Sequence, residues 1–68
     1  SDVYKRQDLT ALARRLAAAG LAVQHTEHLL RCAAEAYRLT VFPDGRAIIT
    51  GTDDESIARG VYARWIGN

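Results

Sequence analysis

The sequence predicts an α+β fold, a small two-layer sandwich built as helix, three or four antiparallel strands, helix. Three observations predict it. Apolar residues repeat with helical spacing at both ends of the chain, in 8–19 and 52–66. Short runs rich in branched and aromatic residues lie between them. Within those runs stands Phe42-Pro43-Asp44-Gly45-Arg46, where Pro presets φ and Asp-Gly tolerates positive φ, a strong hairpin signal.

The first helix spans 8–19. Leu9, Leu12, Ala13 and Leu16 form one stripe, Asp8 suits the cap, and Gly20 suits the left-handed position that ends a helix. Strands are expected at 21–24, 29–33, 37–42 and 46–50, with a turn at 33–36 that lacks Gly, Pro and Asn. The second helix spans 52–66. Thr52-Asp53-Asp54-Glu55 matches a capping box, Ile57, Val61 and Trp65 share a face, and Gly67 ends it. With both helices on one face of the sheet, the expected core is Leu9, Leu12, Leu16, Leu30, Leu39, Val41, Ile48, Ile57, Val61, Trp65 and Ile66.

With 68 residues, 49% hydrophobic and 25% charged, the chain has the composition of one small folded domain. Such a domain buries only about 60% of its unfolded surface, so an open sheet face or edge is a natural docking surface. Nine basic residues against eight acidic ones leave a net charge of +1, which lacks the basic excess of a nucleic-acid binder. No apolar run approaches the ~20 residues of a membrane span, so no membrane partner is expected. The single cysteine excludes an internal disulfide. Residues 1–7 show neither periodicity nor a cap. They read as a non-native leader, with 8–68 as one domain and a fragment of a longer protein.

Few residues invite chemistry. His25, His28 and Cys32 are nitrogen and sulfur groups of the kind zinc takes, but a structural site needs four ligands, and along one strand the two histidines would face opposite ways. They read better as surface imidazoles and a small core thiol, so no metal residue is assigned. Asp44 and Gly45 read as turn formers. Arg46 stands beside the turn, able to pair with Asp44 or with a partner's carboxylate. Asp44 and Arg46 are therefore the candidate docking residues. The pairs Arg14/Arg15 and Arg59/Arg64 read as solvated helix faces, and no catalytic or cofactor-binding residue is assigned.

Leu29-Leu30-Arg31, the run Leu39-Thr40-Val41-Phe42-Pro43-Asp44-Gly45-Arg46-Ala47-Ile48-Ile49, Gly51-Thr52-Asp53-Asp54, and Ala58-Arg59 with Tyr62-Ala63-Arg64-Trp65-Ile66-Gly67 carry a resemblance. Together they resemble the C-terminal accessory domain of the ThiF/MoeB/HesA family of sulfur-carrier-protein adenylyltransferases, ubiquitin-activating-like enzymes. The resemblance covers residues 8–67. His28 and Cys32 stand where the family usually has aromatic residues, and Trp65 replaces a common Tyr; these swaps fit packing positions.

The resemblance implies a cytoplasmic parent enzyme that uses ATP and Mg to adenylate the C-terminal glycine of a small ubiquitin-like sulfur carrier for thiamine or molybdopterin biosynthesis. It places the nucleotide loop and the Zn-binding CxxC pairs in an upstream adenylation domain, and none maps onto this chain. The implied role here is structural or docking, with the adenylation domain and the carrier as partners. A second reading is a free-standing α+β module that binds or dimerises without enzymatic activity.

Overall fold

The computed structural model describes residues 8–67. The expected leader, 1–7, lies outside the described residues. Helix α1 (Leu9–Ala18) is followed by strands β1 (Val23–His25), β2 (Leu30–Ala34), β3 (Tyr37–Val41) and β4 (Ala47–Thr50), then by helix α2 (Glu55–Trp65). The strands form an antiparallel meander in the order β1-β2-β3-β4. This is the α+β arrangement expected, with four strands.

Local chemistry explains the ends. The Asp8 carboxylate accepts from the backbone N–H of Thr10 and Ala11, both at 3.1 Å, and so caps α1. At the other end Gly20, at φ +93°, donates to Ala17 O while Leu21 donates to Leu16 O. These paired bonds form a Schellman motif, which turns the chain back towards the sheet.

Helix α2 corrects the expected boundary. Its cap is Asp54, whose carboxylate accepts from Ser56 N at 2.8 Å and Ile57 N at 3.3 Å. Thr52 accepts instead from Asp54 N at 3.0 Å. The cap therefore lies two residues later than expected, and the capping box does not form, because the third position from the new cap is Ile57, which has no side-chain acceptor to reach back. Thr52 becomes a turn former ahead of the helix.

The hairpins differ in kind. Strands β1 and β2 join through Thr26, whose N donates to Leu29 O at 2.8 Å and whose hydroxyl accepts from His28 N and Leu29 N. Strands β2 and β3 join through two residues, Glu35 and Ala36, between the paired Ala34 and Tyr37. Glu35 sits at φ +59°, a conformation that normally calls for glycine, asparagine or aspartate. Strands β3 and β4 join through Pro43-Asp44-Gly45, closed by Phe42 N donating to Arg46 O and Gly45 N donating to Phe42 O, both at 2.9 Å.

The register sets two faces. Val23, Cys32, Leu39 and Ile49 lie in one cross-strand row, and Leu30, Val41 and Ala47 in another on the same face. Helix α1 covers this face beside β1 and α2 beside β4. Leu9, Leu12, Ala13 and Leu16 of α1 and Val61 and Ile66 of the α2 end join Leu30, Cys32, Ala34, Leu39 and Val41 in one buried core. Each fully buried leucine contributes about 1.5–3 kcal/mol.

Two expected core residues are not there. Ile48 is 55% exposed and Ile57 43% exposed. Side chains alternate along a strand, so placing Ile49 opposite Leu39 puts Ile48 opposite Thr40 on the uncovered face. Ile57 lies in the first turn of α2, whose closest approach to the core is further on, at Val61 and Ile66. Trp65 packs only partly against the core.

Candidate functional site

The β3–β4 turn holds both candidate docking residues. The Asp44 carboxylate accepts from Arg46 N at 3.0 Å and from Arg46 Nε at 2.7 Å. The backbone bond from Arg46 is the main cause that holds this carboxyl below its usual range, with the arginine's side-chain bond and charge adding to it. The Arg46 guanidinium also lies 6.0 Å from the Phe42 ring centroid. Of the two partners foreseen for Arg46, the structure supplies Asp44, yet the side chain remains 68% exposed. The turn is anchored from below, because the Tyr62 hydroxyl of α2 donates to the buried Gly45 carbonyl at 2.7 Å. Asp44 and Arg46 are thus presented on a turn held in place by the closing helix.

His25, His28 and Cys32 separate. His25 ends β1, and exposed His28 lies in the β1–β2 turn 3.5 Å from Glu27. The two histidines do not share a strand, which corrects the premise that opposite strand faces keep them apart. Cys32 points into the core, and burial raises its thiol pKa. A neutral, buried thiol is a poor nucleophile and a poor ligand. Among the described residues no three His, Cys, Asp or Glu side chains group so as to hold a metal ion.

Two features escaped sequence reasoning. The first is a clasp between the β2–β3 turn and the end of α2. Glu35 Oε2 accepts from Arg64 Nη1 at 2.7 Å and from Trp65 Nε1 at 3.1 Å. The bond from Arg64, then that from Trp65, lowers the Glu35 pKa. Arg64 is accordingly an ion-pair partner and not merely a solvated side chain. Arg15 forms no ion pair among the described residues but is also more than a solvated side chain, because its Nη2 donates to Ile66 O at 2.8 Å and ties α1 to the end of α2. Arg59 does stay on a solvated face, 3.5 Å from Glu55 one turn away.

The second feature is the make-up of the open sheet face, which was expected as a surface but without its residues. Gln24, Arg31, Thr40 and Ile48 lie in one cross-strand row, and Ala33, Arg38 and Thr50 in the next. Most of them line a shallow depression of about 580 Å³. The signal was present in the alternation within 30–32 and again within 37–41, but only the register shows which alternate residues meet.

No protein-family model and no solved structure matches the chain. A curated sequence does. Over 67 residues, 98% of this chain, it is 42% identical to the sulfur carrier protein ThiS adenylyltransferase of Bacillus subtilis (strain 168). The chain is similar to the C-terminal region of a ThiF-family sulfur carrier protein adenylyltransferase. It spans 20% of that relative's length. The resemblance carried by the β3–β4 hairpin and the closing helix therefore agrees with a match that runs through nearly the whole chain. No helix among the described residues is long and apolar enough to cross a membrane.

Proposed function

We propose that this chain is a non-catalytic structural and docking domain of an ATP-dependent adenylyltransferase that activates a small sulfur-carrier protein. The observation that carries the reading is the 42% identity over 98% of the chain to an enzyme named for that reaction. The side chains support the non-catalytic part. Asp44 is paired with Arg46, Glu35 with Arg64, and the one thiol is buried. In this reading ATP, magnesium and zinc are bound elsewhere in a cytoplasmic parent enzyme, outside the one-fifth of its length that this chain matches. The adenylation domain and the carrier are the partners, with Arg46 of the anchored turn among the contacts. Thiamine or molybdopterin sulfur transfer is the setting, with no nucleic-acid or membrane partner.

Assaying the 68-residue chain with ATP, magnesium and the ThiS carrier tests the catalytic half of this reading. No pyrophosphate exchange is expected, and measurable turnover would overturn it. In a full-length enzyme carrying this domain, Arg46→Glu is expected to weaken carrier binding about tenfold, roughly 1.4 kcal/mol; unchanged affinity removes Arg46 from the contact. The exposed Ile48 favours one other reading, a module that self-associates through its sheet. Sedimentation of the chain as a dimer, abolished by Ile48→Thr, would select it.

A further inference from the structure

The uncovered face of the sheet carries an unbalanced charge. Seven arginines lie among the described residues. Four have partners: Arg15 on the Ile66 carbonyl, Arg46 on Asp44, Arg59 on Glu55 and Arg64 on Glu35. Arg14, Arg31 and Arg38 have none among the described residues. Two of those three stand on the same sheet face, diagonal to one another across β2 and β3, because Arg31 pairs with Thr40 and Ala33 with Arg38.

No strand contains an acidic residue, since β1 to β4 read VQH, LRCAA, YRLTV and AIIT. The acidic groups among the described residues lie in turns and in the caps and first turns of helices. Gln24, Thr40 and Thr50 add uncharged hydrogen-bonding groups around the two guanidinium groups. Ile48, 55% exposed and opposite Thr40, adds an apolar contact on the same face.

We propose that this face docks on an acidic protein surface, whose Asp or Glu carboxylates pair with Arg31 and Arg38 while an apolar side chain covers Ile48. The guanidinium fork matches a carboxylate in two parallel bonds. The chemistry favours a protein over a small anion. The depression is shallow, both arginines are exposed, and the face includes a large apolar residue that a free phosphate would leave wet. It also favours a protein over nucleic acid, because the two rows together bear only two cations and no aromatic side chain, and the whole chain has a net charge of only +1.

The proposal deepens the docking role above and rests on it for its setting, but peptide binding reads the face alone, whereas pyrophosphate exchange reads the parent chemistry. The probe is a capped Glu-Leu-Glu-Leu-Glu peptide titrated into the ¹⁵N-labelled 68-residue chain. Amide shifts are expected at Gln24, Arg31, Arg38, Thr40 and Ile48, with affinity at least tenfold weaker in Arg31→Gln/Arg38→Gln. Both side chains are exposed, so retained dispersion of the variant's spectrum confirms that it folds. The matching Lys-Leu peptide should leave these amides unmoved. No response at millimolar peptide, shifts centred on Arg14 or α2, or equal shifts with inorganic phosphate or a single-stranded RNA oligomer would overturn the proposal.

Discussion

Glu35 and Gly51 together show how one strained turn is held. Glu35 adopts φ +59°, which costs a non-glycine residue roughly 1–2 kcal/mol, and its carboxylate is gripped by Arg64 and Trp65 from α2. Gly51, at φ +107°, passes the same turn so closely that an added Cβ would lie 2.7 Å from Ala36 O. Gly51→Ala is therefore expected to cost more than about 2 kcal/mol, by backbone strain and by a clash with a carbonyl that cannot swing away. Gly60 in α2 is the contrast, because an added Cβ meets nothing within 4 Å. Gly60→Ala should stabilise the domain by about 1 kcal/mol through helix propensity. Urea titration of both variants checks the pair; equal midpoints would remove the close approach at Gly51.

The clasp also makes a pH prediction. The folded-state pKa of Glu35 lies below its ordinary 4.5. A depressed carboxyl stabilises the fold at pH above its unfolded value, and that contribution is lost as pH falls through the folded value. Stability should thus decline as the solution is acidified below the usual glutamate range. Glu35→Gln should flatten that decline while leaving the slope near neutral pH unchanged. Denaturation midpoints from pH 7 to pH 3 give the comparison. An unchanged acid limb would mean that the clasp contributes nothing to folding.

Among the elements, α2 carries the sharpest test of local chemistry. Asp54, not Thr52, closes its first turn, so Asp54→Ala should cost about 1 kcal/mol and Thr52→Ala less. The reverse order in thermal denaturation would restore the longer helix that the capping box suggests. The helices and hairpins were otherwise legible from short-range signals. Asp8 and Gly20 bracket α1, and Pro43-Asp44-Gly45 marks its turn, because caps and turn residues act on backbone groups two to five residues away. The β2–β3 turn was less legible. Glu35 has no intrinsic preference for positive φ, and what holds its side chain comes from α2, 29 residues further along.

At the scale of the molecule, the two layers formed by the described residues leave one sheet face bare. Leu39 and Ile48 differ little as amino acids but lie on opposite sides of that sheet, at 1% and 55% exposure. Leu39→Ala should cost about 2–5 kcal/mol, enough to unfold much of a domain this small. Ile48→Thr should shift stability by no more than about 0.5 kcal/mol. Circular dichroism melts of the two variants decide it, and a large loss for Ile48→Thr would mean that its face is covered in solution.

The candidate site divides along the same line. Asp44 and Arg46 were visible in the sequence because they belong to one turn, and their pairing needs only a two-residue separation. Arg31 and Arg38 were not, because diagonal neighbours on adjacent strands are defined by register.

The sequence by itself determined the α+β class, the order of elements, the α1 stripe and the β3–β4 turn. All of these follow from local backbone chemistry and from hydrophobic period. Only the tertiary structure decided which isoleucines face water, which arginines are left without partners among the described residues, and how Glu35 is held. Those depend on strand register and on which faces the two helices cover, and a single-residue shift in register reverses every side chain of a strand.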